Sequence, residues 1–129
     1  MRLLDTHVMI WYALGDDQLS KTAESLLVDA DNVVLISPAS YWEIAIKVSI
    51  GKLKLHARYE DFIDLCLNQY GFQILPIEPA HTARLVALPF RSNHKDPFDR
   101  LLVAQSILEG IPIVSSDLVL DAYPVERLW

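Results

Sequence analysis

The stretch Val33-Val34-Leu35-Ile36-Ser37-Pro38 decides the predicted fold. Its first four residues are apolar and mostly β-branched, a run that is typical of a strand buried on both faces. Ser37 and Pro38 then suit the N-cap and the first position of a helix. A doubly buried strand followed at once by a helix indicates an α/β protein, in which helices cover both faces of the sheet.

The same alternation of short apolar runs and helical patterns extends along the whole chain. Strands are predicted at residues 1–4, 33–36, 72–75 and 113–115, with a short edge strand around Val125. Helices are predicted at residues 8–14, 20 or 21 to 29, 38–50, 59–69, 79–88 and 96–110. Strands joined by helices pair in parallel through right-handed crossovers, so we expect a three-layer α/β/α sandwich with a central, mainly parallel sheet.

Length and composition limit the classes of protein to consider. The 129 residues fit a single domain spanning 1–129. A hydrophobic share of 52% is slightly above the usual range, which indicates apolar surface covered by a partner. With 11 basic and 17 acidic residues the net charge is −6, which argues against loose electrostatic binding to nucleic acid. A nuclease remains compatible with this charge, because metal-binding acids would account for part of the excess.

Cys66 is the only cysteine, so no disulfide forms within the chain, and a reducing compartment is expected. The N-terminal segment lacks the features of a signal peptide, and no apolar run is long enough to span a membrane. We therefore expect a cytoplasmic protein without a membrane partner.

Four acidic residues stand at the ends of predicted strands or near the starts of helices: Asp5, Glu43, Asp99 and Asp117. The carboxyl ends of parallel strands share one edge of a sheet, where ligands bind. Carboxylates brought together there repel one another, so such a cluster indicates a divalent cation. Magnesium, which prefers oxygen ligands, fits these acids, and no Cys/His spacing of a zinc site is present.

Each acid also has a purely structural interpretation. Asp5 suits a turn after a strand, and Glu43 suits an i,i+4 pair with Lys47, worth only ~0.3–0.5 kcal/mol. Asp96 suits the N-cap of the helix that Pro97 opens, and Asp117 suits a cap of the segment 118–121. Asp99 differs because the helix after it is nearly all apolar, and a charge entering a buried helix needs a partner or a metal.

Four stretches together resemble PIN-domain ribonucleases of the VapC-like toxin family, over essentially the whole chain. They are LDT at 4–6, WEIA at 42–45 followed by Lys47, HKDPFDRLLVAQ at 94–105, and IVSSD at 113–117. The stretch from 96 to 105 is the most specific of them. The chain departs mildly from the family in carrying serines at 115 and 116, where threonine is often found, and His7, where some members keep asparagine.

The resemblance implies a site and a reaction. Asp5, Glu43, Asp99 and Asp117 fall on the family's acidic metal-binding quartet, with Thr6 and Ser116 on polar positions beside it and Asp96 as an extra acid. We expect Asp5, Asp99 and Asp117 to bind Mg²⁺ or Mn²⁺, and Glu43 to hold a second ion or orient the attacking water. Lys47, His94 and Arg100 are candidates for contact with the phosphate of an RNA substrate.

The resemblance also implies partners. Family members are usually toxins of type II toxin–antitoxin pairs and are commonly homodimers. A small antitoxin neutralises them with a tail that occupies the active-site groove. Trp11, Tyr12 and the helix that carries Trp42 are candidate contacts, and core packing is the alternative for them.

Other classes fit less well. A phosphotransfer receiver domain requires an acidic pair after the first strand and a late lysine, and here Thr6 and His7 follow Asp5. A haloacid-type phosphatase requires Asp-x-Asp, and His7 takes the second position. A non-catalytic metal- and protein-binding module with a degenerate site stays open as an alternative.

Overall fold

A computed structural model describes residues 1–91 and 93–129, and its elements follow the predicted alternation. The strands are β1 (Arg2–Leu4), β2 (Val34–Ile36), β3 (Gln73–Ile74), β4 (Ile113–Val114) and β5 (Arg127–Leu128). The α-helices are α1 (Thr6–Leu14), α2 (Lys21–Val28), α3 (Pro38–Ser49), α4 (Tyr59–Asp64), α5 (Pro79–Ala87) and α6 (Pro97–Glu109). A 3₁₀ helix spans Leu118–Ala122.

The five strands form one sheet in the order β3-β2-β1-β4-β5, and every pairing is parallel. Leu3 pairs with Leu35 on one side and with Ile113 on the other, so β1 lies at the centre. The chain builds outward from β1 first to β2 and β3, then returns to β4 and β5. The carboxyl ends of β1 and β4 therefore flank the crevice where strand order reverses, the usual place for a ligand in such sheets.

Two hydrophobic clusters cover the two faces of the sheet. Successive strand residues alternate between them, since Leu4 packs in one cluster and Leu3 in the other. The first cluster includes residues of α1, α2 and α4, and the second includes residues of α6 with Leu88. The prediction of a three-layer α/β/α fold is thus confirmed.

Most elements end within a residue or two of the predicted bounds, and three differences are informative. Helix α1 begins at Thr6 and not at residue 8, because Asp5 takes the N-cap position with extended backbone. Helix α4 continues into a wider turn at Leu65–Gln69, where the Tyr70 N–H reaches the Leu65 carbonyl five residues earlier. The last strand lies at Arg127–Leu128, slightly beyond Val125, and it is an edge strand as expected. None of the described helices is long and apolar enough to cross a membrane.

Candidate metal centre

Asp5 lies at the carboxyl end of β1, directly before α1, and its side chain is only 6% exposed. The Ser115 hydroxyl donates a 2.6 Å hydrogen bond to Asp5 Oδ2, whereas the buried Oδ1 has no hydrogen-bond partner among the described residues. Burial raises the pKa of Asp5 above its ordinary value, with the bond from Ser115 opposing that shift. One oxygen is thus held by the protein and the other is left free.

Glu43 lies on α3, and at 4% exposure it is as buried as a core residue. Lys47 donates a 2.7 Å hydrogen bond to Glu43 Oε2, so the expected i,i+4 pair is present. Glu43 Oε1 is buried without a hydrogen-bond partner in the described structure. The bond to Glu43 raises the pKa of Lys47, and the charges of Asp96 and Asp99 add to the shift, so the ammonium faces the acidic cluster. Contact of Lys47 with phosphate stays a prediction.

Asp99 stands at the third position of α6, and Asp96 is the N-cap, as predicted. The Asp96 carboxylate accepts hydrogen bonds from the backbone N–H groups of Phe98 (2.9 Å) and Asp99 (3.1 Å). Burial raises the pKa of Asp99 to about 8. Surrounding acids contribute further to the shift; they are Asp5, Asp96, Glu43 and Asp117. The four acids of the predicted quartet are therefore brought together at one edge of the sheet.

His94 lies against this cluster, although the sequence suggested it as a phosphate contact. It is 5% exposed, its Nε2 lies 3.5 Å from Asp99 Oδ2, and its Nδ1 lies 2.6 Å from the Tyr123 hydroxyl. The ligand atoms of His94, Asp99 and Asp117 all lie within 4.8 Å of one another. The structure therefore places His94 beside the acids, buried where a phosphate would have little access to it.

Asp117 follows β4 and caps the 3₁₀ helix, accepting a 3.0 Å hydrogen bond from the Val119 N–H through Oδ1. Its own N–H donates to Ser115 Oγ at 3.0 Å. The fully buried Ser115 hydroxyl thus joins Asp5 to the backbone of Asp117. The sequence predicts Ser116 in this supporting position, and in the structure Ser115 occupies it, because the Ser115 side chain is fully buried at the end of the strand.

Two further predicted residues contact other parts of the fold. The buried Thr6 hydroxyl donates to Ser40 Oγ at 3.0 Å and so links α1 to α3, although the resemblance puts Thr6 on a polar position beside the acids. The Arg100 guanidinium donates to the Pro89 carbonyl at 3.0 Å, which ties α6 to the segment after α5. Sequence reasoning missed the contacts of Ser40 and Tyr123, since no local pattern marks a partner 34 or 29 residues away.

The free atoms at this site fit a divalent cation. Asp5 Oδ1, Glu43 Oε1 and His94 Nε2 are three of the six buried side-chain atoms without a hydrogen-bond partner in the described structure. Buried polar atoms normally find partners, and several orphaned atoms in one acidic cluster indicate a missing positive ligand. A set dominated by carboxylate oxygens suits Mg²⁺ or Mn²⁺.

Comparison with known proteins identifies the family of this fold. The chain is 29% identical over 115 residues to ribonuclease VapC22 of Mycobacterium tuberculosis (strain ATCC 25618 / H37Rv), covering 89% of this chain and 85% of that protein. The structure is similar to that of VapBC2 from Rickettsia felis bound to a DNA fragment from its promoter. The TM-score is 0.68 at 16% identity, covering 99% of this chain and 98% of that one.

Two other solved structures share the fold. The sarcin–ricin loop cleaving toxin VapC20 of Mycobacterium tuberculosis gives a TM-score of 0.67 at 15% identity, covering 95% of this chain and 94% of that one. A toxin–antitoxin complex from Klebsiella pneumoniae gives 0.63 at 20% identity, covering 91% and 87%. A family model described as the PIN domain matches residues 2–126. With the fold and nearly the whole length matched, the chain belongs to the PIN-domain family.

Proposed function

We propose that the protein is a metal-dependent endoribonuclease that hydrolyses phosphodiester bonds of RNA at the carboxyl edge of its sheet. The observation that carries this proposal is the convergence of Asp5, Glu43, Asp99 and Asp117, from four separate parts of the chain, with buried oxygens left unpaired. Membership of the PIN-domain family and the likeness to ribonuclease VapC22 support the reaction class.

In this proposal Asp5, Asp99 and Asp117 hold a Mg²⁺ or Mn²⁺ ion, with Glu43 at a second ion or at the attacking water. The ion lowers the pKa of bound water and stabilises the charge that develops on the phosphate. Two of the carboxylates are oriented by a neighbouring side chain, since Ser115 donates to Asp5 and Lys47 donates to Glu43. Because the supporting bonds use one oxygen of each acid, the other oxygen stays available.

The protonation state of Asp99 governs whether this site can bind a metal ion. With a pKa of about 8, Asp99 carries its proton at neutral pH in the metal-free protein and must lose it to become a ligand. Glu43 Oε1 is free to accept a hydrogen bond from the attacking water, which would orient that water toward the phosphorus atom. Lys47 places a positive charge one helical turn beyond Glu43, where it can attract the phosphate.

The test is cleavage of a mixed RNA pool by purified, partner-free protein with Mg²⁺, with Mn²⁺ and with EDTA. We expect cleavage with either ion, none in EDTA, and none by Asp99→Asn in any condition. Cleavage that persists in EDTA or in Asp99→Asn would contradict the proposal. Metal binding without cleavage of any RNA would favour the non-catalytic binding module.

We further propose that the protein is the toxin of a type II toxin–antitoxin pair that acts in the cytoplasm, with a small antitoxin as its inhibitor. The structural likeness to a toxin–antitoxin complex and the overall resemblance to VapC-like toxins support this assignment. The free and buried thiol of Cys66 suits a reducing compartment. Loss of RNA cleavage on addition of a small protein encoded beside this chain would test the pairing.

A homodimer completes the proposal. Two residues of α3, Trp42 and Ile46, and the C-cap residue Ile50 follow one another at four-residue spacing. They are 62%, 37% and 58% exposed and form an apolar stripe. We assign this stripe to contact with a second copy of the chain. Light scattering should give the mass of a dimer for the parent and of a monomer for Ile46→Lys, and a monomeric parent would contradict the assignment.

A further inference from the structure

A strip of three aromatic side chains runs beside the acidic cluster and has no role in the proposed catalytic chemistry. The rings of His7 and Trp11 lie 5.6 Å apart on α1, and those of Trp11 and Trp129 lie 5.9 Å apart. His7 is exposed and Trp11 is half-buried. Trp11 lies outside both hydrophobic clusters of the described structure, so packing of the core does not explain its size.

Two features place this strip at the same edge of the sheet as the carboxylates. His7 lies in the first turn of α1, two residues after Asp5, which is the N-cap of that helix. On the other side, the Ser115 N–H donates to the Leu128 carbonyl at 3.1 Å, directly before Trp129, and the Ser115 hydroxyl bonds to Asp5. Both ends of the strip therefore lie close in the chain to residues of the Asp5 site.

We propose that His7 and Trp11 form a stacking surface for a base of single-stranded RNA whose phosphodiester lies at the acidic cluster. This inference rests on the proposed function and extends it to the way in which substrate is held. Unpaired bases stack on aromatic side chains with little dependence on base identity, and histidine and tryptophan both serve in this way.

The net negative charge of the protein favours a contribution to RNA binding that is not electrostatic. A net charge of −6 and a cluster of acids give little of the electrostatic attraction that usually supplies affinity for RNA. Stacking depends far less on salt and needs no positive side chain, so it can position a nucleotide beside carboxylates. The Trp129 ring packs beside that of Trp11 and extends the aromatic surface.

The test measures binding in the Asp99→Asn background, in which we expect no cleavage of the RNA. The two probes are a mixed-sequence single-stranded RNA of twelve nucleotides and an abasic ribose–phosphate chain of the same length, both with Mg²⁺ present. We expect the RNA to bind more tightly than the abasic chain. Trp11→Leu and His7→Leu should each weaken RNA binding by roughly tenfold, the size expected for one lost stack, and leave binding of the abasic chain unchanged.

Phe90→Leu is the matched control, because Phe90 is a 73% exposed aromatic residue in the segment after α5. It should change neither affinity. In protein that retains Asp99, Trp11→Leu should raise KM for RNA cleavage with kcat nearly unchanged. Two results would overturn the inference and leave the strip as surface for a protein partner. One is equal binding of RNA and the abasic chain by the Asp99→Asn protein. The other is an undiminished preference for RNA over the abasic chain in both leucine variants. A parent that binds neither probe, with wild-type protein that cuts no RNA, would overturn the proposed function as well.

Discussion

Two buried polar sites in this molecule differ in whether their polar atoms have hydrogen-bond partners. At the contact between α5 and α6, His81 is 1% exposed, its Nδ1 accepts a 2.9 Å bond from the Glu78 N–H, and its Nε2 lies 2.8 Å from Glu109 Oε1. Both ring nitrogens are therefore satisfied. At the carboxyl edge of the sheet, Asp5 and Glu43 are just as buried, yet each keeps one oxygen without a partner.

The completeness of its hydrogen bonds distinguishes a buried polar group that stabilises the fold from one that binds a ligand. A buried group with all its hydrogen bonds made stabilises the fold and needs nothing else. A group of like charges with free oxygens destabilises the fold unless a ligand neutralises it. We therefore assign His81 to stability and the acidic cluster to binding, and the following predictions test that division.

The largest effect is expected from Asp99→Asn. The variant should lose RNA cleavage by more than about 100-fold, because loss of a direct ligand should exceed the 10–100-fold cost of losing a residue that only supports one. At pH 7 its free energy of unfolding without metal should equal or exceed that of the parent, since the parent must protonate a buried acid on folding and the variant need not. Cleavage kinetics measure the loss of activity, and urea denaturation measures the free energy of unfolding. A variant that is both active and destabilised would contradict the assignment of the acidic cluster to binding.

Ser115→Ala should have the next largest effect. It removes the donor to Asp5 and the acceptor for the Asp117 N–H, so metal affinity should fall by roughly 10–100-fold. Calorimetric titration with Mn²⁺ measures this change. Ser116→Ala is the matched control one residue away and should bind metal like the parent. Equal losses in both variants would show that the serine pair acts through the backbone and not through the Ser115 hydroxyl.

His81→Ala should affect only stability. It leaves the Glu78 N–H and the Glu109 carboxylate without this partner and opens a cavity, which should cost about 2–3 kcal/mol of unfolding free energy. Metal affinity and kcat per folded molecule should stay unchanged. The control is Thr82→Ala, an exposed neighbour on α5, for which the change should be within about 0.5 kcal/mol. A loss of metal binding in His81→Ala would remove the distinction between the two sites.

The final prediction is a pH dependence of stability in EDTA. The pKa of Asp99 is raised from its ordinary value of 3.8 to about 8 in the folded protein. Between these values the folded state holds a proton that the unfolded chain has lost, so stability falls as pH rises from 4 through 8. The slope from one such group is at most about 1.4 kcal/mol per pH unit. Urea denaturation at pH 5 to 8 should show a shallower slope for Asp99→Asn, and identical slopes would contradict the raised pKa.

Much of the fold could be predicted because its signals are local. The apolar run before Ser37-Pro38 and the Asp96-Pro97 helix start both fall where the structure has them. The wider turn at Leu65–Gln69 and the position of the short edge strand β5 could not be predicted, since the first depends on hydrogen bonding that reaches five residues back and the second on pairing with β4. Their stability comes from tertiary contacts that leave no periodic pattern.

The candidate site also has features that the sequence could predict and features that it could not. The acids could be predicted because each stands at the end of a strand or near a helix start, and parallel topology brings those places together. The choice between Ser115 and Ser116 could not, because adjacent residues at the end of a strand point to opposite sides and the sequence does not show which side faces Asp5. The partnership of His94 with Tyr123 also depends on distant packing.

The most direct test of the central claim is a count of Mn²⁺ ions bound at pH 7.5, by electron paramagnetic resonance of the free ion, for the parent, Asp99→Asn and His81→Ala. Our account predicts binding by the parent, the same binding by folded His81→Ala, and loss of binding by Asp99→Asn. Equal binding by the parent and Asp99→Asn, or no binding by the parent, would contradict the assignment of the acidic cluster as a metal centre.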